Sequence, residues 1–314
     1  MKMDGISDIE GREIYPRDMV GYANRPPDPS WPNDARLAVQ FVVNYEEGAE
    51  NNILHGDQAS EAYLTELVGT QPLSNARSLT IESLYEYGSR VGFWRLLKVF
   101  DDRNIKFTAF AVAMALQRNP QVAVAIVASG HEIASHGLRW IDYHSVDEET
   151  ERRHIRQAVK TIRDLTGSRP VGWYTGRVSP NTTRLIGEEG GFLYSSDSYA
   201  DDLPYWYVTG GVPQLMIPYT LDINDMKFGA FQGFNSGDQF FSYMKDSFDC
   251  LYAEGKTQPR MMSIGLHCRI AGRPGRVQAL KRFLDYIQGF PDIWVCRRVE
   301  IARHWREKHP FREC

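Results

Sequence analysis

The chain has 314 residues, a formal net charge of −4 (36 Lys and Arg against 40 Asp and Glu) and 42% hydrophobic residues, 12% of the total being aromatic. A globular domain of this size hides roughly three-quarters of its unfolded surface and needs no staples. A mildly acidic chain without a basic block argues against a nucleic-acid or anionic-membrane partner, and no apolar run approaches the length of a membrane span. Cys250, Cys268, Cys296 and Cys314 lack metal-ligand spacing and read as free thiols of a reducing compartment. The opening MKMDGISDIEGREIYPRD has no apolar signal-peptide core, so a cytoplasmic location is expected.

In chain order, the run Phe41-Val42-Val43 reads as a buried strand that ends in Asn44-Tyr45-Glu46-Glu47-Gly48. Two adjacent carboxylates therefore stand at the carboxyl end of a core strand, where α/β folds place their chemistry. Neighbouring carboxylates repel, so one of them is expected to ionise less readily, as suits a general base; the plain alternative is a solvated pair opening a loop. The polar stretch 49–81 is too long for an ordinary connection and reads as a functional or assembly insertion. A helix is expected over 82–103, a strand over 107–112, a helix over 117–129 ended by Gly130, and a short strand over 131–136. Asp147 opens and Gly167 closes a helix over 147–166. Strands at 171–174, 192–196, 215–218, 262–267 and 293–296 follow, with helices at 181–189, 237–254, 274–288 and 298–308. With no linker or repeat, strand–helix alternation predicts a single-domain α/β barrel.

His136, Arg177, Asp197 and His267 then follow or end four of these strands, beside Glu46 and Glu47. A lone strand-end His is usually structural; five ionisable strand ends on one edge favour an active site. The loop Cys268-Arg269-Ile270-Ala271-Gly272-Arg273-Pro274-Gly275-Arg276 is rich in Arg and Gly and reads as anion-friendly, feeding a helix that starts near Pro274. Cys268 follows His267 directly and so points away from it, which argues against a Cys–His pair.

The order of these motifs resembles the polysaccharide-deacetylase superfamily from about Leu37 to Trp294. Asn44-Tyr45-Glu46-Glu47-Gly48 matches its Thr-Phe-Asp-Asp-Gly block, 130–136 its Gly-His-Glu-Ile-x-x-His block, Arg177-Val178-Ser179-Pro180 its Arg-Pro-Pro loop, and Gly265-Leu266-His267 its final Leu-x-His strand. The resemblance implies a distorted (β/α) barrel in which the first acid is a base, the second binds a divalent metal with two histidines four apart, and the late His protonates the leaving amine. Here both acids are Glu, and Trp140 stands where the second metal His belongs; His144 is the one nearby substitute. Three protein ligands are the usual minimum for a catalytic zinc, so a metal-independent site without cofactor is expected.

That combination is similar to the metal-independent allantoinases, a branch of the superfamily that opens the hydantoin ring of allantoin to allantoate and assembles as a homotetramer. The resemblance implies Glu46 as base towards water and His267 as acid towards the departing nitrogen. Glu47, His136 and Arg177 would orient water and substrate. Trp140 and Trp173 would form walls for a planar ring, against the plainer reading of both as core. Asp197 would orient His267 or Arg177, or cap a helix. The alternatives are a metal-dependent polysaccharide or peptidoglycan N-deacetylase, another cyclic imidase, and a degenerate, non-catalytic glycan-binding relative.

Overall fold

The computed structural model describes residues 17–312. The central strand is β1 (Leu37–Tyr45), nine residues buried throughout, as expected of an apolar run that pairs on both sides. Its upper half pairs in parallel with β2 (Thr108–Ala111), which continues through β3 (Glu132–Ser135), β4 (Gly172–Trp173) and β5 (Tyr194–Ser195). A hairpin of β6 (Tyr205–Thr209) and β7 (Val212–Met216) ends that side, with β7 beside β5. The other edge of β1 carries the long β8 (Arg260–His267), and β9 (Ile293–Val295) pairs with the first residues of β1. Among these strands all pairings are parallel except the hairpin.

The sheet curls without closing strand to strand. Residues 217–224 run from β7 back to β8 and meet it at one bridge, Asn224 to Gly265, with Gly265 N–H donating to Ile223 O at 2.9 Å. This is the distorted barrel expected. No helix among the described residues is long and apolar enough to cross a membrane.

The helices are α1 (Leu79–Tyr87), α2 (Phe93–Asp101), α3 (Ala113–Arg118), α4 (Pro120–Ala128), α5 (Glu148–Thr166), α6 (Thr182–Glu189), α7 (Gly237–Glu254), α8 (Cys268–Ala271), α9 (Pro274–Ile287) and α10 (Arg298–Lys308); they follow the predicted order except for the single turn α8, which stands where a loop was expected. Three departures have local causes. The helix expected over 82–103 is split by a π turn, Gly88–Gly92. A Cβ on Gly88 would enter the Glu47 carboxylate, and one on Gly92 the Cys268 carbonyl, so the wide turn lets the helix pass both. The helix expected over 117–129 breaks at Asn119 (φ −139°), because the following Pro120 disfavours helical backbone before it. The hairpin strand β6 was not expected, although its aromatic run before Gly210-Gly211 is a hairpin signal.

Period-2 alternation sorts β1 into two faces. Leu37, Val39, Phe41, Val43 and Tyr45 pack under the helices, while Ala38 and Val42 belong to a second cluster with Phe110, Tyr174 and Tyr219 inside the curl. A fully buried Arg298 crosses this interior. Its guanidinium donates to Ser196, Gln40, Ser263 and the carbonyls of Ile217 and Pro218. The stretch after β1 is irregular and tied down by Arg139, which pairs with Asp57 at 2.5 Å and donates to Glu50 O.

Candidate active site

A cavity of about 170 Å³ opens at the carboxyl end of the strands, and Glu46, His136, Trp140, Arg177 and His267 all line it. Strand ends and the irregular stretch build it together, since Tyr63 and Leu64 supply the wall opposite the sheet. Glu46 follows Asn44 at a spacing of two and so faces inward, 1% exposed. Its Oε1 lies 3.4 Å from His136 Nε2 and 3.5 Å from His267 Nε2, and its Oε2 accepts from Arg269 Nη1 at 2.7 Å. Burial alone would raise this carboxyl. Arg269, then His267 and His136, outweigh it and hold Glu46 well below the usual carboxylate range.

Glu47 takes the opposite face and does not line the cavity. Its carboxylate accepts from the backbone N–H of Glu46 (2.9 Å) and of Arg269 (3.2 Å), under the π turn. Burial, reinforced by the charge of Glu46 and partly offset by Arg269, pushes it up to about 7. The carboxyl that ionises reluctantly is therefore the supporting one, and the expectation that Glu47 meets water or substrate is corrected by alternation.

His267 ends β8, and its Nδ1 sits 2.6 Å from Asp225 Oδ1. Asp225 also accepts from the backbone N–H of His267 and of Ala271. With Nδ1–H committed to the carboxylate, Nε2 is left facing Glu46. Burial would lower this imidazole; Glu46 and Asp225 reverse that and raise it above its usual value. The ground state thus holds an ionised carboxylate opposite a proton-bearing His, the states a base and an acid require.

Trp140 and Arg177 line the cavity together, with Arg269 behind them. The Arg177 guanidinium lies 4.0 Å from the Trp140 ring and 5.0 Å from Tyr63, and it pairs with Glu61 at 3.1 Å. Arg269 lies 5.0 Å from Trp140 and 4.2 Å from Tyr85. Trp140 thus has two guanidinium groups within cation–π reach.

Two expected site residues are placed elsewhere. Trp173 packs among the helix-facing core residues and donates from Nε1 to Thr175, while its neighbour Tyr174, one residue on and so on the other face, lines the cavity. Asp197 orients neither His267 nor Arg177; it accepts from the backbone N–H of Thr175 and Gly176, bracing the turn that delivers Arg177. Asp225, Glu61 and Tyr219 were not anticipated, since all three come from irregular segments. Arg269 lay in the stretch marked as anion-friendly, and its partner Glu46 came from the end of the neighbouring strand β1, distant in sequence but adjacent in the sheet.

A divalent metal does not fit these residues. Glu47 faces away and is engaged by backbone N–H groups, Trp140 offers no donor, and His144 is exposed on a separate turn. Glu46, His136 and His267 do meet in the cavity, but a guanidinium already holds Glu46, and His267, engaged by Asp225 and raised towards its protonated form, has no lone pair to offer. Among the described residues no group of three or more His, Cys, Asp or Glu could hold a metal ion.

Comparison with known proteins bears on this geometry. The polysaccharide deacetylase family pattern matches residues 74–190. A Schizosaccharomyces pombe protein whose name assigns it provisionally to the polysaccharide deacetylases is 42% identical over 94% of this chain and 98% of its own length. A crystal structure from Pseudomonas aeruginosa PAO1, likewise provisionally named a polysaccharide deacetylase, superposes with a TM-score of 0.93 at 61% identity, covering 95% of this chain and all of that one. The crystal structure of PuuE allantoinase gives 0.93 at 59% identity over 95% of this chain and 99% of its own. With whole-length relatives of this kind on the same curled sheet, the chain belongs to the polysaccharide deacetylase family.

Proposed function

We propose that this protein is a metal-independent hydrolase of a ring C–N bond, opening the hydantoin ring of allantoin to give allantoate. The observation that carries the reading is the Arg269–Glu46 contact in the corner where a metal-dependent relative needs donors. Without a Lewis acid, a simple acetamide keeps both a poorly electrophilic carbonyl and a strongly basic leaving group. A cyclic ureide nitrogen is flanked by a second carbonyl and leaves as a far weaker base, so proton transfer and hydrogen bonding suffice. The similarity to PuuE allantoinase over nearly the whole chain supports the same substrate. A cavity of about 170 Å³ also suits a small ring better than a polymer.

In this reading water sits between Glu46 and the ring carbonyl. Glu46 takes its proton, the hydroxyl oxygen bonds to carbon, and the ring C–N bond breaks as His267 Nε2–H protonates the nitrogen. Asp225 accepts from Nδ1–H and holds His267 as the imidazolium, whose Nε2–H is the one donated. Arg177 stabilises the oxyanion and then the new carboxylate. The low-lying Glu46 is a weak base, so much of the barrier lowering falls to electrostatic stabilisation at the oxyanion.

The test is a side-by-side assay of chelator-treated, metal-free protein on allantoin, hydantoin and N-acetylglucosamine oligomers. Ring opening of allantoin that survives chelation is expected. Acetate release from the oligomers without ring opening, or activity restored only by a divalent ion, would sink the proposal.

A further inference from the structure

Asn44, two residues before Glu46 on the inward face of β1, also lines the cavity and is 1% exposed. Its Nδ2 donates to the Leu266 carbonyl at 3.1 Å and to the Tyr219 hydroxyl at 3.0 Å. A carbonyl can only accept, so Leu266 fixes which end of the Asn44 amide is nitrogen. The other end, Oδ1, is buried with no hydrogen-bond partner. A buried amide oxygen left unmatched is costly, which marks it as an acceptor awaiting a donor.

Tyr219 is its complement. The phenol oxygen accepts from Asn44 Nδ2 and, at 3.5 Å, from Asn224 Nδ2, and no described residue accepts its own hydrogen. Two amide donors on one phenol oxygen leave that hydrogen directed away from both, and Tyr219 lines the cavity. Burial raises the phenol far above its usual value, so it stays a neutral donor. The placement is constrained from behind as well: a Cβ on Gly265 would collide with the Tyr219 hydroxyl and with Asn224. One edge of the cavity therefore offers an acceptor and a donor side by side.

Resting on the reading of this site as one for a cyclic ureide, we propose that Asn44 and Tyr219 are the specificity pair that reads a cis-amide edge, Asn44 Oδ1 accepting a ring N–H and Tyr219 donating to the adjacent ring carbonyl. The amide geometry does the selecting. An open-chain secondary amide is trans, with N–H and C=O pointing in opposite directions, and the cis form is rare. A five-membered ring forces cis and presents both groups on one side. An N-acetyl group on a sugar meets one partner at most, whereas a hydantoin ring meets both.

The experiment measures binding of hydantoin, 1-methylhydantoin and 3-methylhydantoin by calorimetry to the full wild-type chain and to Tyr219→Phe, alongside kcat and KM for allantoin. At least one methyl isomer should bind about tenfold or more weakly than hydantoin, since methylation removes the N–H and leaves Asn44 unmatched. Tyr219→Phe should weaken hydantoin by several-fold and raise KM for allantoin. Wild-type protein that opens allantoin, yet binds both methyl isomers within twofold of hydantoin or is matched by Tyr219→Phe in every constant, would overturn the assignment and leave the proposed function standing. Wild-type protein that neither binds hydantoin nor opens allantoin would overturn both. The methyl series needs no variant, so a poorly folding Tyr219→Phe cannot obscure the result.

Discussion

At the scale of single residues, the chemistry rests on which face of a strand each side chain takes. Glu46 and His267 face each other inside the curl, so Glu46→Gln and His267→Ala should each lower kcat by roughly two to four orders of magnitude while the fold persists. Asp225 acts through His267: Asp225→Asn keeps the shape but removes the negative charge that helps hold His267 as the imidazolium, leaving a neutral ring that is a poor acid. A loss of about 100-fold or more in kcat with little change in KM is expected, and an unchanged kcat would remove Asp225 from the mechanism. Because Glu46 and Asp225 raise His267, the acid is protonated below its shifted value and lost above it. A pH profile of kcat/KM should accordingly fall on the alkaline side only above 6.5, the ordinary imidazole value. Much of this was legible in the sequence: Glu46, His136, Trp140, Arg177 and His267 do converge. Glu47, Trp173 and Asp197 were misplaced because motif matching treats neighbours as equivalent, while alternation along a strand sends consecutive side chains to opposite faces. Asp225 and Glu61 carry no motif; only the path of two irregular segments brings them to His267 and Arg177.

At the scale of elements, the π turn and the strand end are one unit. The turn opens a slot that Glu47 fills, and Glu47 in turn accepts the backbone N–H that starts α8. The sequence announced a long amphipathic helix here, and nothing in its periodicity marked the extra residue; Gly88 and Gly92 were the available sign. This slot has a stability signature. Glu47 is shifted from 4.5 to about 7, so the folded protein binds a proton that the unfolded chain releases. Folding stability attributable to this group is complete below about pH 4.5 and declines as pH rises to about 7, by about 1.4 kcal/mol per unit of difference. Glu47→Gln, which cannot ionise, should gain in Tm relative to wild type at pH 7–8 and lose that gain at pH 4–5. Equal Tm differences at both pH values would contradict it.

At the scale of the whole molecule, the alternation of strands and helices was enough to predict the barrel, and the parallel register bears it out, whereas the way the barrel ends was not readable. Segment 217–224 is interrupted by Pro218, Asp222 and Asn224 and so signals no continuous strand, and its role depends on Gly265 of a distant element. The outer surface carries its own expectation. Leu67, Val68, Leu73 and Phe231 are exposed, Phe231 by 80%, and Phe231 leans over Gly69 beside them. Exposed apolar side chains gathered in this way mark contact surfaces. Self-association, with a homotetramer as the expected state, is checked by sedimentation velocity: Phe231→Ser should shift the distribution towards smaller species, and a wild-type monomer at micromolar concentration would contradict the expectation.

The single bridge between Asn224 and Gly265 makes the barrel a garment with one loose seam. The central strand is laced to β2 and β8 by runs of consecutive partners, whereas this join, the one that would close the curl, hangs on Gly265 N–H to Ile223 O and the side chains around it. Asn44 stands on one side of that seam and Tyr219 on the other. A small ring gripping both would act as a stitch across it, tying ligand occupancy to the breathing of the wall. Amide hydrogen exchange at Gly265 should slow on adding hydantoin, more than at β1 or β2, and equal slowing along all three strands would show the seam to be already sewn.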